Sequence, residues 1–381
     1  MPIKFSEEQT KEVVHGLEGV KSVATIKSKV DGSGEGALFY EGYSIFDLAE
    51  KSCFEEVAYL LLYDKLPTKK ELEDFSKTLY SYRSLNSNVV EIIKKLKGHP
   101  MAVLRTAVSA LSSFDEEAED FSDSANERRA IKLIAQIPVI IAIYSRLREG
   151  KKIIEPDSSL NTAANFVYML TGQKDELKAK IMDKILILHA DHGLNASTFA
   201  ARVTASTLSD MYSAITSAVG ALKGPLHGGA NEQVLKMLFS IKGSAREWVL
   251  DKLSRKEKIM GIGHRVYKGG DPRAKILKKY AEQLSSQTGN SHLFEKLDMI
   301  EKTVYEQKGL KPNVDFYSAL VLYCIGIPSD LFTPIFAMSR IAGWTAHVLE
   351  QYANNRLIRP KSVYVEELAP LGRNYVEIDK R

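Results

Sequence analysis

Apolar residues recur at helical spacing along most of this chain, with polar residues on the opposite faces. The pattern predicts helices over residues 54–63, 100–111, 127–147, 162–170, 175–189, 207–222, 231–241, 244–253, 272–284, 291–307, 314–325 and 334–352. A further helix is expected to begin after Thr68, because Glu71 lies at capping-box spacing from it. A chain so dominated by helix is predicted to adopt an all-α fold.

Strand-like alternation is confined to the N-terminal region and the tail. Residues 22–29 and 37–40 flank a turn-rich segment and predict a short N-terminal β-hairpin. Residues 362–365 are expected to pair briefly as a strand. The acidic, serine-rich residues 114–126 are expected to form a solvated loop, and Pro138 is expected to kink its helix.

Two helix-breaking segments suggest how the chain is divided into domains. A Gly-Pro break near residue 225 and the sequence Gly-Ile-Pro-Ser at 326–329 enclose a helical segment of about domain size. We expect residues 1–226 and 328–381 to form a large domain, the second part ending in a C-terminal tail. Residues 227–327 are expected to form a small inserted domain.

The composition is that of an ordinary globular protein. Of the 381 residues, 44% are hydrophobic and 26% are charged, and the formal net charge is +4. This charge gives no reason to expect a nucleic-acid partner and does not argue against an anionic small molecule. Cys53 and Cys324 lie in apolar helical contexts and are expected to be free thiols. No apolar run of about 20 residues indicates a membrane span, and the N-terminus lacks a signal-peptide core, so a cytoplasmic location is expected.

Glycine and proline interrupt the helical pattern at residues 223–231, and His227 lies on this break. The glycines allow the backbone to bend and let another group come close. A helix is expected to restart at Asn231, and its positive end would keep His227 neutral. A neutral imidazole can donate a hydrogen bond to a developing oxyanion. A helix–helix corner with a surface histidine explains this segment alone equally well.

A second segment, residues 258–273, combines glycines with basic residues and contains His264. Basic side chains and backbone N–H groups suit phosphate, although the spacing is neither that of a Walker loop nor that of a dinucleotide fingerprint. Asp271 followed by proline predicts a helix start, which puts Arg273 in the first turn. A basic surface loop with a packed histidine is the simpler alternative.

Three further positions are candidates for chemistry. Asn313 is a predicted N-cap, and Asp315 falls in the first turn, where it could merely complement the helix dipole. His189 and His192 are three residues apart and could form a metal pair, but no third ligand lies at metal-site spacing. Arg340 lies in an apolar helix, where a charged group needs a partner.

Together these segments resemble the citrate synthase family, and the similarity runs over most of the chain. GPLHGGAN, GIGHRVYKGGDPRA and PNVDFYSA, the SR pair at 339–340 and RLIRPKSVYV at 356–365 occur in that family's order. The length of the chain and the sequence HRVYK resemble those of the compact bacterial and archaeal dimeric form.

The resemblance implies an enzyme that condenses acetyl-CoA with oxaloacetate and hydrolyses citryl-CoA to citrate and CoA. Asp315 would take a proton from the methyl group, and His227 would bind the thioester oxygen as the enol forms. His264 would polarise the ketone of oxaloacetate. The oxaloacetate carboxylates and keto group would be held by His192, Arg273 and Arg340, and by Arg359 from the neighbouring subunit of a homodimer.

The resemblance also implies a CoA site and a movement of the small domain. The candidate CoA residues are Arg255, Lys256, Lys258, Ile259, Met260, Gly261, Ile262, Lys268 and Asn313. No permanently bound cofactor or metal is expected, since acetyl-CoA enters as substrate and CoA leaves as product. Oxaloacetate would close the small domain over the site before acetyl-CoA binds.

Three alternatives are open at this point. The nearest is 2-methylcitrate synthase, which uses propionyl-CoA, since one methylene changes binding by only about 1–3 kcal/mol. A metal-dependent hydrolase using His189, Asp191 and His192 would leave Asp315 and Arg340 unexplained. A ligand sensor with a similar fold would be expected to have lost one of the catalytic residues, and all three are present.

Overall fold

The computed structural model describes residues 6–381 and is helical over most of this length. The α-helices are α1 (Ile45–Lys51), α2 (Phe54–Tyr63), α3 (Lys69–Ser81), α4 (Ser87–Lys95), α5 (Pro100–Ser112), α6 (Asp123–Arg148), α7 (Thr162–Thr171), α8 (Glu176–His189), α9 (Ala196–Ser206), α10 (Met211–Leu222), α11 (Ala230–Ser240), α12 (Ala245–Ser254), α13 (Pro272–Gln287), α14 (Ser291–Lys308), α15 (Val314–Cys324) and α16 (Phe332–Ala353). The predicted all-α fold is confirmed.

One small antiparallel sheet accompanies the helices. Its order is β1 (Ser28–Asp31), β2 (Ala37–Tyr40) and β3 (Tyr43–Ser44). The predicted hairpin is therefore confirmed, but its first strand begins at residue 28 and not at 22, and β3 was missed. Leu38 and Tyr40 of β2 are buried and anchor the sheet to the helices.

The N-cap residues of the helices explain where the predicted helix boundaries are confirmed and where they are wrong. Thr68 and Glu71 form the predicted capping box at the start of α3. The prediction of a loop over 114–126 is wrong at its end, because Ser122 caps α6 and residues 123–126 are helical. The helix expected over 207–222 begins only at 211, since Asp210 is its N-cap. Residues 362–365 form no strand.

Helix α16 is the centre of the larger of two compact units, which comprises residues 25–356. It packs against α2, α6, α8, α9 and α10, and nearly all of its side chains are buried. The second unit consists of the described residues up to 24 together with residues 357–381. Within the larger unit, α13 packs on α14 and α15, and α12 packs on α14. The division at residues 226 and 327 stays a prediction.

Helix α6 has the length and hydropathy of a membrane-spanning helix, so the expectation that no apolar run approaches about 20 residues is wrong for this segment. Over its most apolar stretch, 78% of the residues are buried within the protein. Pro138 lies inside this helix, which is continuous over 26 residues. Helix α6 is therefore placed as a core helix of a folded domain would be.

Gly343 lets α16 approach the turn after α8. A Cβ on Gly343 would lie 2.4 Å from the carbonyl oxygen of Ala190 and 2.5 Å from Asp191 Oδ1. Gly343→Ala should therefore lower the free energy of unfolding by about 1–3 kcal/mol, because the helix must move outward. Urea unfolding followed by far-UV circular dichroism measures this change.

Gly220→Ala is the matched control for this prediction. Gly220 lies in α10, and a Cβ there would meet only Arg105 Cδ at 3.8 Å, an ordinary contact. Alanine at 220 should stabilise the protein by about 0.5–1 kcal/mol, as expected for a helix interior. Stabilisation by both substitutions would contradict the close packing at Gly343.

Candidate active site

His227 lies in the turn between α10 and α11, where glycine brings two segments into contact. Gly228 donates its N–H to the carbonyl of Leu222 at 3.0 Å, and a Cβ on Gly228 would lie 2.5 Å from that oxygen. The turn therefore requires glycine at this position. Helix α11 begins at Ala230, one residue before the predicted start.

The imidazole of His227 is half-buried and hydrogen-bonded through Nε2. The backbone N–H of Ser197 donates to Nε2 at 3.3 Å, and Ser197 Oγ lies 2.8 Å from the same atom. Because a backbone N–H can only donate, Nε2 holds a lone pair and the neutral ring carries its proton on Nδ1. Burial, and then the charge of Arg340, lowers the pKa of His227 to about 4. Burial and Arg340 thus favour the neutral ring, and the contribution expected from the start of α11 stays a prediction.

Ser197 is a site residue that the sequence analysis missed. It is the second residue of α9, and the side chain of the N-cap, Asn195, accepts the N–H of Ser197 at 3.1 Å. Trp344 of α16 donates its indole N–H to Ser197 Oγ at 3.1 Å. The N-cap pattern is visible in the sequence, but nothing in the sequence indicates that Ser197 lies beside His227.

His264 lies in the loop between α12 and α13. Its Nδ1 accepts the backbone N–H groups of Val266 and Tyr267 at 3.0 and 3.1 Å. The proton of the neutral ring is therefore on Nε2. Burial, and then the charge of Arg273, lowers the pKa of His264 to about 4. This ring can donate a hydrogen bond to a carbonyl oxygen without first losing a proton.

His192 and His189 have different surroundings although they are only three residues apart. The ring of His192 lies 5.3 Å from that of His264, and its Nε2 is 3.1 Å from the hydroxyl of Tyr267. Burial, and then Arg273, lowers the pKa of His192 well below its usual value. His189 is buried and bonded through Nδ1 to the carbonyl of Ile185 at 2.9 Å, as a core histidine would be.

Arg273 lies in the first turn of α13, as predicted, and forms a bidentate ion pair with Asp271. Its Nε and Nη2 lie 2.9 and 2.7 Å from the two carboxylate oxygens. Asp271 also accepts the N–H of Val314 at 3.0 Å, which ties the starts of α13 and α15 together. Burial acts to raise the pKa of Asp271, but the guanidinium outweighs it and the pKa is lowered. Asp271 therefore keeps the Arg273 side chain in place.

Arg340 is buried in α16 and is held from two sides. Its Nε donates to the carbonyl of His189 at 2.7 Å, and its guanidinium lies 4.8 Å from the centre of the Phe336 ring. Burial lowers the pKa of Arg340 to about 10, so the group stays charged at neutral pH. A buried cation held in this way can bind a carboxylate.

Asp315 follows its N-cap, Asn313, in the first turn of α15. Its backbone N–H donates to Asn313 Oδ1 at 3.0 Å, as the sequence predicts. Among the described residues, Asp315 Oδ1 is buried without a hydrogen-bond partner. Burial raises the pKa of Asp315 to about 7. A carboxylate with this pKa can accept a proton near neutral pH.

Arg273 and Arg340 act electrostatically on several of the other candidate residues. The positive charges of Arg273 and Arg340 add to the lowering of the pKa of His192 by burial. At Asp315 the same two charges oppose burial, which raises the pKa. Arg340 also lowers that of His227. The structure thus brings together a carboxylate that can act as a base, two neutral imidazoles that can donate, and buried guanidinium groups.

Asp191 anchors the turn that carries His192. Its carboxylate is completely buried, and Oδ2 accepts from Ser28 Oγ at 2.5 Å and from the N–H of Gly193 at 3.2 Å. His347 Nε2 lies 3.2 Å from the same oxygen, while its Nδ1 accepts from Arg202 at 3.0 Å. Burial acts to raise the pKa of Asp191, but its interactions with His347, Arg340 and Ser28 lower it to about 2.

These contacts do not support the metal-dependent hydrolase. In the part of the chain that the structure describes, no three His, Cys, Asp or Glu side chains are grouped so that they could hold a metal ion. Asp191 and His189 are engaged in the contacts just described, and both are core residues.

The predicted CoA residues lie before and beside His264. Arg255, Lys256, Lys258 and Lys268 are exposed, whereas Ile259 and Gly261 are buried and Met260 and Ile262 are half-buried. At Gly261 the φ angle is 76°, and a Cβ would lie 2.9 Å from Phe316, so packing explains this glycine. Asn313 also donates its amide to the carbonyl of Gly263 at 2.9 Å. Contacts of these residues with CoA stay predictions.

Arg359 lies in the smaller unit and its side chain is exposed. Its predicted role in a neighbouring subunit is untested by these contacts.

The sequence model described as citrate synthase, C-terminal domain, matches residues 16–361 of this chain. The chain belongs to the citrate synthase family. The citrate synthase of Haloferax volcanii is 51% identical over 366 residues, which are 93% of this chain and 96% of that protein. The family that the motifs resemble is thereby confirmed.

Solved citrate synthases share the whole fold. The crystal structure from Pyrobaculum aerophilum has a TM-score of 0.91 at 44% identity, covering 97% of this chain and 95% of the other. A ternary complex of the Thermoplasma acidophilum citrate synthase with carboxymethyl coenzyme A and oxaloacetate has a TM-score of 0.91 at 36% identity, with 97% and 99% covered.

The matches also include relatives named 2-methylcitrate synthase. The 2-methylcitrate synthase 1 of Corynebacterium glutamicum is 44% identical over 384 residues, covering 97% of this chain and 99% of that protein. This identity is lower than that of the Haloferax volcanii citrate synthase, so the comparisons favour citrate synthase.

Proposed function

We propose that this chain condenses acetyl-CoA with oxaloacetate and hydrolyses the resulting thioester to citrate and CoA. The observation that carries the proposal is the partnerless carboxylate of Asp315, with a pKa of about 7, in one site with neutral His227 and buried Arg340. Removing a proton from a thioester methyl group needs a base and a donor to the forming enol oxygen at the same time. Asp315 and the Nδ1–H of His227 supply this pair.

The second substrate is held by the basic half of the site. Arg340 and Arg273 bind the carboxylates of oxaloacetate, with His192 as a further contact. The Nε2–H of His264 donates to the ketone oxygen and withdraws electron density from the carbon that the enol attacks. Water then cleaves the thioester of citryl-CoA. No resident cofactor takes part in these steps, because the acyl group arrives on CoA and CoA leaves as product.

The CoA moiety binds along residues 258–262 in this proposal. Exposed Arg255, Lys256, Lys258 and Lys268 are suited to its phosphates. Oxaloacetate binding closes the small domain, residues 227–327, over the large one and keeps water from the thioester before condensation. The packing of α13 on α14 and α15 supports a small domain that moves as one body. A cytoplasmic location is part of the proposal.

The test of the function is release of free thiol from acyl-CoA. We expect release from acetyl-CoA that depends on oxaloacetate, with propionyl-CoA a poorer substrate. A preference for propionyl-CoA would transfer the proposal to 2-methylcitrate synthase and leave the site unchanged. Release without oxaloacetate, or no release from either thioester, would refute the proposal.

The proposal includes a homodimer in which Arg359 completes the neighbouring site. Arg359→Leu and His227→Ala should each be nearly inactive alone. Co-expressed with two different affinity tags and purified as the mixed dimer, they should recover activity, because one site then has both His227 and Arg359. A mixed dimer as inactive as its parents would exclude a shared site.

A further inference from the structure

Tyr267 contacts both histidines on the oxaloacetate side of the site. Its side chain is buried, with 3% exposed. The ring lies 4.6 Å from that of His264 and 5.5 Å from that of His192. The phenol oxygen is 3.1 Å from His192 Nε2, and the backbone N–H donates to His264 Nδ1 at 3.1 Å. One residue therefore touches one ring nitrogen of each histidine.

The backbone contact determines which nitrogen of His264 carries the proton. A backbone N–H has no lone pair to accept with, so Nδ1 of His264 must be the acceptor. Val266 donates a second N–H to the same atom at 3.0 Å. The neutral ring then has its only N–H at Nε2, the nitrogen left for a ligand.

The phenol contact determines the proton of His192 in the same way. Within the described chain, the Tyr267 hydroxyl has no hydrogen-bond partner other than His192. Burial raises the pKa of the phenol, so the hydroxyl keeps its proton at neutral pH. A buried O–H with a single polar neighbour donates to it, because leaving it unpaired is costly. Nε2 of His192 therefore accepts, and its proton is on Nδ1.

We propose that Tyr267 is a positioning residue that fixes the tautomers of both histidines, so that His264 offers Nε2–H and His192 offers Nδ1–H to oxaloacetate. This inference rests on the proposed function for the identity of the ligand. The carboxylate and ketone oxygens of oxaloacetate can only accept hydrogen bonds, so the site must present N–H groups to them. Without the hydroxyl, His192 would divide between two tautomers and lose part of its donor strength.

Tyr267→Phe removes the hydroxyl and keeps the ring and the backbone N–H. Its KM for oxaloacetate should rise about tenfold, as for one lost buried hydrogen bond. Its KM for acetyl-CoA should change less than twofold. Tyr144→Phe is the matched control, since the Tyr144 hydroxyl is also buried and donates to the carbonyl of Gly98 at 2.6 Å. Tyr144 contacts none of the site residues, and its variant should leave both KM values unchanged.

A spectroscopic measurement tests the tautomers without relying on activity. In protein labelled with 15N-histidine, the ring nitrogens report directly which one is protonated, and a His192→Gln variant identifies the His192 signals. We expect the wild type to show a protonated Nδ1, and Tyr267→Phe to show a mixture. A protonated Nε2 in the wild type, an unchanged tautomer in Tyr267→Phe, or an unchanged KM for oxaloacetate would overturn the proposal. If the wild type lacked oxaloacetate-dependent thiol release, the proposed function would fail while the ring-nitrogen signals still tested Tyr267.

Discussion

Asp315→Asn should lower kcat by about 10²–10⁴-fold while leaving oxaloacetate affinity nearly intact. The substitution keeps the shape of the side chain and the N-cap contact of its backbone N–H with Asn313. It removes the carboxylate that takes the methyl proton in the proposed reaction. Steady-state thiol release gives kcat, and titration calorimetry gives the affinity for oxaloacetate. Equal losses in both would refute the role of base.

Asp47→Asn separates this role from a simple helix-dipole effect. Asp47 is also an acidic residue in the first turn of a helix, α1, and is exposed. If first-turn charge were all that mattered, the two substitutions would act alike. We expect kcat to be unchanged in Asp47→Asn.

The raised pKa of Asp315 gives this prediction a pH signature. Only the deprotonated carboxylate accepts a proton, so kcat/KM in the wild type should rise as pH increases through about 7. His227 and His264 titrate near pH 4 and are neutral on both sides of this limb. Asp315→Asn should lose the limb. Because ionising the buried carboxylate costs folding free energy, Asp315→Asn should also be more stable than the wild type at pH 8.

Asp191→Ala should lower the free energy of unfolding by about 3–5 kcal/mol, the typical cost of breaking a buried charged network. The substitution leaves the buried donors of Ser28 and His347 without their acceptor. It also removes a negative charge that supports Arg340. Urea unfolding monitored by circular dichroism measures the loss.

Asp74→Ala is the comparison for this substitution. Its carboxylate forms an exposed ion pair with Lys70 at 2.9 Å on the surface of α3. Such pairs contribute about 0–1 kcal/mol, so the stability should hardly change. Equal effects of Asp191→Ala and Asp74→Ala would show that the buried network contributes little.

Local sequence signals were sufficient for much of the fold and for the positions of several candidate site residues on their helices. The capping box at Thr68 and the N-cap at Asn313 depend only on residues within one turn, and both occur as predicted. Asp271 followed by proline likewise begins α13 where expected. Such capping patterns can be recognised in a single sequence because the interacting residues lie within a few positions of each other.

Contacts between distant segments could not be predicted in this way. Ser197 and His227 are 30 positions apart along the chain, and Asp191 and His347 are 156 positions apart, so only folding brings them together. Without these contacts, the sequence offers a helix end as a reason for a neutral His227, but not burial and the charge of Arg340. For the same reason, the sequence does not show that Asp191 anchors the turn before His192, and it therefore allows a metal site there as an alternative.

Helix α6 leaves the ribosome long before α16, one of the helices that cover it. Arg148 ends the first helix and Phe332 begins the second. At about 5–20 residues per second, translation of the intervening chain takes roughly 10–40 s. Throughout that interval, a 26-residue helix with the hydropathy of a membrane span lacks part of its final cover. The nascent chain is therefore exposed to aggregation for longer than the time needed to make α6, and this exposure ends only once α16 has been made.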